Sequence, residues 1–405
     1  MSAGNKSKKG QIDPENAFKN GTKKIRFSIF CSEMKVWWKI FVSLFALAVP
    51  VLACDTEDDR TENAADSLHP FVCEVTDEFQ RYSLVPVLGY TEETRLLFGA
   101  MVLLFLRPDE RDGKVPEIGL TAYGSSRGQF QFVLEPFFYL YRDQIHVWFA
   151  LKYQDWITSY YGHGNDPDID RYINYDKEKF YFGAKFESKA FVPEWAKYGV
   201  ELHVEHTNLK FRRRERNLPN PQSGWRNGAG YILGIDTRDN ANWTKHGFLV
   251  EWKQLFYAEA IGDYSFDVES LDLRAYSPLP FNSTAAVGAL WQRAEGNVPF
   301  DMLAGPDGVQ RFRGVESLYF NDNQALILQM EVRKYFGWRL GSHLFFEGGK
   351  VGDHFSELMR NRWHRSIGMG ALLGLNVKER LFARADVSWV DFDHVGLSFY
   401  VRQAF

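Results

Sequence analysis

From Tyr82 to Phe405 the sequence repeats one pattern: segments of about ten residues that alternate apolar and polar, separated by turn residues. In an extended strand successive side chains point to opposite faces, so each segment has one apolar and one polar face. The last segment puts Leu397, Phe399, Val401 and Phe405 on one face and Ser398, Tyr400 and Arg402 on the other. The segment before it sets Leu381, Ala383, Ala385, Val387 and Trp389 against Phe382, Arg384, Asp386 and Ser388. Leu326, Leu328, Met330 and Val332 alternate with Gln329, Glu331 and Arg333. Sixteen such segments fall near 82–90, 94–106, 115–124, 127–140, 143–158, 177–190, 197–210, 228–237, 246–257, 263–277, 281–293, 323–336, 339–351, 365–376, 380–391 and 395–405. Counts of 14 and 12 stay open, because each segment alone is a weak signal. Long connections follow segments five, seven, eleven and thirteen, whereas tight turns follow four, twelve and fourteen. That distribution suits an all-β antiparallel transmembrane barrel with a long-loop rim outside and a short-turn rim inside.

Composition narrows the class further. The net charge of −4 excludes a generally basic nucleic-acid surface. Beyond the N-terminal region no apolar run reaches the length of a spanning helix, which excludes a polytopic helical protein. Three cysteines exclude a disulfide-dense scaffold and a four-thiolate zinc site. An aromatic share of 16% exceeds what a soluble sandwich with the same alternation would need, and it suits aromatic girdles.

Residues 1–33 are polar and Lys-rich and read as a non-native or disordered extension. Met34-Lys35-Val36-Trp37-Trp38-Lys39 followed by apolar Ile40 to Ala53 reads as a signal peptide over 34–53, cleaved before Cys54. A cytoplasmic extension on a signal anchor is the alternative. Cys54 is either a lipid-modified first residue or a thiol able to pair with Cys73 in an oxidising compartment. The second is preferred, because Leu52 suits a lipoprotein cleavage box poorly. Residues 54–81 read as an acidic periplasmic linker.

Several stretches resemble the BamA/TamA-type bacterial surface-antigen barrels. Pro86-Val87-Leu88-Gly89-Tyr90-Thr91-Glu92-Glu93-Thr94, with Leu97-Phe98-Gly99-Ala100, is similar to that family's opening hairpin. Tyr161-Gly162-His163-Gly164-Asn165-Asp166 resembles its G-x-G-N loop entry, and Asp236-Thr237-Arg238-Asp239-Asn240 its D-T-R-D turn. Phe312-Arg313-Gly314-Val315, then Tyr319-Phe320-Asn321-Asp322, resembles its R-G-[FY] motif on the sixth outer loop. Phe345-Phe346-Glu347-Gly348-Gly349 resembles the F-x-[DE]-x-G of its thirteenth strand, and Gln403-Ala404-Phe405 its ending. The six motifs occur in the family's order over 82–405. The resemblance implies a sixteen-stranded outer-membrane barrel with the sixth loop folded into the lumen. Residues 54–81 are too few for a POTRA domain, so a POTRA-less member is expected.

The candidate site follows from strand parity and these motifs. Glu347 shares a face with His343, Phe345 and Gly349 and points inward, while Leu344 and Phe346 point outward. Arg313 lies in the long connection 294–322, from which it can reach Glu347, and an Arg–carboxylate pair can be bidentate. Phe312, Arg313, Gly314, Glu347 and Gly349 form the expected loop lock, in a wet lumen. Gly368, Gly370 and Gly374 are expected to leave room for the loop against the wall. Gly396, Phe399, Val401 and Phe405 are the expected assembly signal, with Phe399, Val401 and Phe405 in a lipid-facing row. Pro86 and Gly89 mark the expected seam between first and last strands, because a proline suits an edge strand.

Other clusters carry less. Asp166, Asp168 and Asp170 lack the central Gly and terminal Glu of a calcium loop. His203 and Glu205 share a face without His206, which is no metal site. Arg212-Arg213-Arg214-Glu215-Arg216 reads equally as a lipopolysaccharide contact or a solvated loop. No P-loop, G-x-G-x-x-G unit or G-x-S-x-G motif occurs, so no enzyme activity, cofactor or metal is assigned. Ser388 and Asp386 lack a histidine on their strand, so a hydrolase has little support. The expected role is to assist insertion or assembly of outer-membrane proteins or lipids through a weak seam. The expected partners are outer-membrane lipid, nascent outer-membrane proteins and other outer-membrane subunits, with no nucleic acid. A passive channel or receptor, or a subunit of a larger outer-membrane complex, is the alternative.

The mature chain is expected to begin at Cys54. Intact-mass spectrometry of membrane-extracted protein checks this: a mass that includes residues 34–53 refutes it, and an added acyl mass selects the lipoprotein reading.

Overall fold

The computed structural model describes residues 82–91, 95–106, 115–141, 143–167, 172–212, 223–377 and 380–401. The expectations for the leader, the linker, Cys54, Cys73, Asp168, Asp170, Arg213 to Arg216 and Phe405 lie outside the described residues.

Sixteen strands form one antiparallel sheet in which every strand pairs with its sequence neighbours. They are β1 (Tyr82–Thr91), β2 (Arg95–Phe105), β3 (Glu117–Ser125), β4 (Phe130–Leu140), β5 (Ile145–Tyr160), β6 (Ile173–Ser188), β7 (Ala196–Phe211) and β8 (Gly224–Asp236). Then follow β9 (Gly247–Tyr257), β10 (Phe266–Leu279), β11 (Ser283–Gly296), β12 (Gln324–Gly337), β13 (Leu340–Gly352), β14 (His364–Asn376), β15 (Leu381–Val390) and β16 (His394–Val401). The one α-helix among the described residues, α1 (Phe355–Arg360), lies in the β13–β14 loop. Observed bounds follow the alternation to within two or three residues, except that β6 and β8 begin earlier than expected, at Ile173 and Gly224 instead of near 177 and 228.

The two faces have the inverse polarity of a soluble sheet. Along β12, Leu328, Met330 and Val332 are exposed, while Gln329, Glu331 and Arg333 on the alternate face are buried. On β13 Leu344 and Phe346 are exposed, whereas His343 and Glu347 are buried. The apolar row therefore lies on the outside and the charged row on the inside.

The sheet curls into a barrel whose ends overlap. No ladder joins β1 to β16 among the described residues. An apolar cluster joins them: Val85 of β1 and Met101, Leu103 and Phe105 of β2 pack with Leu375, Leu381, Ala383 and Val401. Parity gives the geometry. Tyr82, Leu84, Leu96, Phe98 and Leu104 are the exposed row of β1 and β2, so their cluster residues belong to the inner face. Val387, Trp389, Leu397 and Phe399 are the exposed row of β15 and β16, so Leu381, Ala383 and Val401 belong to the outer face. The inner face of the first hairpin thus lies over the outer face of the last one at the short-turn rim. Ser83 Oγ adds a hydrogen bond to the Leu375 carbonyl at 3.3 Å. This overlap explains why β2 is apolar on both faces. It also corrects one expectation: Phe399 is exposed on the outer face, but Val401 on the same face is half-buried beneath the first hairpin instead of meeting lipid.

Candidate functional site

The lumen is filled from the long-loop rim by residues 297–323, between β11 and β12. The Ala304–Asp322 bridge closes the loop's neck. Its descending limb carries a 3-10 turn at Phe300–Met302. Phe300 packs edge-on against Tyr160 and Tyr175, with centroids 5.3 and 5.4 Å away, and stacks on Phe211 at 5.7 Å. Asp301 beside it receives Lys177 Nζ at 2.6 Å and Arg226 Nη1 at 2.9 Å, so the loop is tied to β6 and β8. Asp307 Oδ1 then accepts the amides of Val309, Gln310 and Arg311, which turns the chain at the tip.

The tip presents Arg313 between two left-handed residues, Phe312 at φ 62° and Gly314 at φ 93°. A Cβ on Gly314 would lie 2.4 Å from Ser388 Cβ, so only glycine fits against β15 there. Arg313 Nε donates to Glu347 Oε1 at 2.7 Å, and its backbone N–H donates to Glu347 Oε2 at 2.5 Å. Nη1 donates to Glu331 Oε2 at 2.8 Å and lies 3.7 Å from Asp386 Oδ2. The guanidinium also lies 3.5 Å from the Phe345 ring centroid. Arg313 and Glu347 both have 0% exposure, so this pair is shielded from bulk solvent, in contrast to the wet lumen expected around it. The carboxylate is gripped from two sides, but one donor is backbone, so the contact is not a fork-to-fork pair.

Charge balance extends outward from this pair. Arg384 Nε lies 3.0 Å from Asp386 Oδ2, and Arg384 Nη2 donates to the Val309 carbonyl at 2.6 Å. Arg333 Nη1 lies 3.8 Å from Glu331. Gln329 Nε2 donates to Glu347 Oε1 at 2.7 Å, and Arg311 reaches Gln329 at 2.6 Å and Asp272 at 2.5 Å. The loop therefore touches β10, β12, β13 and β15 through hydrogen-bonded, desolvated charges.

The glycines serve differently from expectation. A Cβ on Gly349 would meet Phe320 at 2.8 Å and Phe312 at 2.9 Å, so Gly349 does seat the loop's two phenylalanines. The space over Gly368 is instead filled by the Phe345 ring, and that over Gly370 by Asp386 and the His343 ring. Those glycines make room for the wall side chains that support Arg313, not for the loop. Gly396 does approach the loop: its Cβ would lie 2.0 Å from the Gly314 carbonyl oxygen, so the tip abuts the last strand. Pro86 pairs with Ala100 and Gly89 with Leu97, both inside the β1–β2 ladder.

Three contributors are not visible in strand parity. The G-x-G-N loop caps the site: Gly164 N–H donates to the Asn321 carbonyl at 2.8 Å, and Asn165 Oδ1 accepts the Val351 amide at 2.9 Å. His364 lies 2.6 Å from both Asp391 Oδ2 and the Asn165 carbonyl and stacks on Phe320 at 4.5 Å. At the opposite rim the β8–β9 turn folds across the mouth. Its Trp243 is buried against Phe382 and Tyr335, with centroids 4.6 and 6.4 Å away, and Arg380 holds Asp239 at 2.8 Å. A motif match marked the first and third segments, but nothing in either match specified the partners across the lumen. Of the weaker clusters, Asp166 pairs with Arg362 at 2.8 Å, Arg212 pairs with Asp176 at 2.6 Å, and His203 lies 3.4 Å from Glu205.

No family model matches the sequence, and no curated protein is similar to it in sequence. Among solved structures the chain is similar to BamA from Haemophilus ducreyi lacking POTRA domains 1-3, with a TM-score of 0.52 at 12% identity over 80% of this chain and 70% of that one. It is similar to CdiB from Escherichia coli with a TM-score of 0.52 at 10% identity, over 79% of this chain and 61% of that one. At such identities the likeness is one of fold.

Removing one member of the Arg313–Glu347 pair leaves a buried charge without its partner. Arg313→Met or Glu347→Leu should therefore cost roughly 3–5 kcal/mol in local or global stability. The double reversal Arg313→Glu with Glu347→Arg should recover less than half, because the residue 313 amide and Gln329 both donate toward position 347 and would face a cation. Limited proteolysis within 297–323 and thermal melts in detergent measure both; wild-type protection in either single variant refutes the lock.

The cap should loosen with rising pH. His163 Nε2 lies 3.2 Å from Asp322 Oδ1, and the hydrogen bond to this carboxylate raises the imidazole above its ordinary value. A raised folded value means the tie is fully present below the unfolded value of about 6.5 and is lost as pH rises through the folded value. Amide exchange at residues 162–165 should quicken from pH 6 to 8 beyond the intrinsic base-catalysed increase, and His163→Gln should remove that excess.

Proposed function

We propose that this chain is an outer-membrane barrel that assists insertion or assembly of proteins or lipids in that membrane, by parting at the overlap of its first and last hairpins. The observation that carries this reading is that no ladder joins β1 to β16 among the described residues, where the two hairpins meet through an apolar overlap at Val85, Met101, Leu103, Phe105, Leu381 and Val401 and the Ser83–Leu375 hydrogen bond. The inverted polarity of the wall supports a lipid surround. The fold likeness to BamA and CdiB supports the outer membrane. A lumen filled by residues 297–323 at one rim and crossed by the β8–β9 turn at the other argues against a passive channel. Pro86 lies in the edge strand, where its missing N–H costs least if the strand faces the seam.

The test is a reversible clasp. Val85→Cys with Val401→Cys should form a disulfide under oxidation, and the oxidised protein should lose the ability to accelerate insertion of an unfolded outer-membrane protein into liposomes. Reductant should restore it, while each single variant should behave as wild type. Equal activity of the oxidised and reduced forms sinks the seam reading. Large, steady unitary currents in planar bilayers would favour the passive channel instead.

A further inference from the structure

At the short-turn rim, the outward row of β12 changes character. Leu326, Leu328, Met330 and Val332 are followed by Lys334 and Phe336 on the same face. The row from Leu326 to Val332 spans about 20 Å along the strand, or about 15 Å along the barrel axis at a tilt near 40°. A cation on a lipid-facing wall is costly at the bilayer midplane and tolerated only near an interface. Lys334 therefore marks the depth at which acyl chains give way to head groups.

Two phenylalanine rings flank the lysine at that level. Lys334 Nζ lies 5.9 Å from the Phe281 ring centroid and 5.7 Å from that of Phe336. Trp338 follows two residues after Phe336, at the β12–β13 turn. The β10–β11 turn abuts the end of β12 because Asn282 Nδ2 donates to the Tyr335 carbonyl at 3.2 Å. Lys334 forms no ion pair with a carboxylate among the described residues. Phe281, Phe336 and Trp338 are 85%, 60% and 50% exposed, although two of them occupy left-handed turn positions, at φ 60° and 52°. A glycine would adopt those dihedrals at lower cost, and the rings find little intramolecular contact there. The same choice recurs on this rim at Tyr141 and Phe191, with φ 52° and 65°.

We propose that Lys334, Phe281, Phe336 and Trp338 form a head-group site for an anionic glycerophospholipid in the leaflet on the short-turn side. The lysine meets the phosphodiester, the rings lie at the glycerol level, and the acyl chains run up the Leu326–Val332 row. Tryptophan and the other aromatics suit this depth because one end is apolar and the other polar. A net-anionic head group is favoured over a zwitterionic one, because no acidic group among the described residues pairs with the lysine. The occupant follows from continuity: the lipid that covers the apolar row places its phosphate where the row ends. This inference rests on the membrane reading proposed above and adds a ligand class to it.

Native mass spectrometry of the detergent-solubilised full chain, titrated with phosphatidylglycerol or phosphatidylcholine, tests it. Wild type should retain phosphatidylglycerol several-fold more tightly than phosphatidylcholine. Lys334→Gln should erase that preference, Lys334→Arg should keep it, and Phe281→Ser with Phe336→Ser should weaken retention of both lipids. Heat-modifiable mobility confirms that each variant is folded, and any variant that fails this check is replaced by Lys334→Met. Excess inorganic phosphate should not displace the lipid. Equal lipid preference in wild type and Lys334→Gln overturns the site, and displacement by inorganic phosphate marks a free-anion site and overturns it too. Failure of the wild-type chain to enter liposomes at all would instead overturn the membrane reading itself.

Discussion

Arg313 is the interaction on which the lumen depends. A guanidinium with no exposure to water is tolerable only where carboxylates and hydrogen-bond acceptors replace its hydration. Glu347, Glu331 and Asp386 do this from β13, β12 and β15 of the wall. Those acids would be equally costly without the loop, since Arg333 and Arg384 do not by themselves satisfy the inward oxygens of Glu347. Wall and loop are therefore mutually required. Sign complementarity divides the barrel: on the β10–β15 side the loop brings arginines to wall acids, and on the β6–β8 side it brings Asp301 to wall cations. A loop anchored by opposite charges on opposite walls has one position that satisfies both.

That division also explains what was legible in the sequence. Strand count and strand faces follow from period-2 alternation, because a lipid-facing row and a lumen-facing row differ sharply in polarity. The Arg313–Glu347 contact was reachable because parity turns Glu347 inward and a long connection supplies Arg313. Asp301, Arg226 and Asp272 were not reachable: each is an ordinary charge in an alternating strand or loop, and only the barrel's curvature makes them neighbours. The glycines of β14 mislead for a related reason. Parity shows that their face is empty, but whether a loop or a neighbouring strand's ring fills the space depends on rotamers of Phe345 and His343. Val401 misleads because alternation assigns a face but not what covers it, and the covering hairpin is about three hundred residues away in sequence.

The two rims are closed by different physics. At the long-loop rim the cap is polar: backbone amides and side-chain amides of Gly164, Asn165 and Asn321 join β13, β14 and the plug. At the short-turn rim Trp243, Phe382, Leu372 and Tyr335 form an apolar contact across the mouth, with Arg333 above the indole at 5.0 Å. Any opening of the lumen must break one of these sets as well as the Arg313 cluster.

Separation at the overlap is different in kind. Parting any other pair of neighbouring strands exposes a ladder of N–H and C=O groups, each of which costs several kcal/mol if it meets hydrocarbon unpaired. At the overlap of β1–β2 on the last hairpin the contact among the described residues is mainly one of apolar side chains, with one hydrogen bond from Ser83. In water their separation would be opposed by the hydrophobic effect, but lipid chains are as apolar as leucine and replace the lost contacts. On the proposed reading, this is the join that a lipid surround weakens most. Because Gly314 at the plug's tip abuts Gly396 of β16, inward or outward movement of the last strand is felt directly by the loop that carries Arg313. On the proposed reading, the same buried arginine that fixes the plug also sets how far the last strand can move.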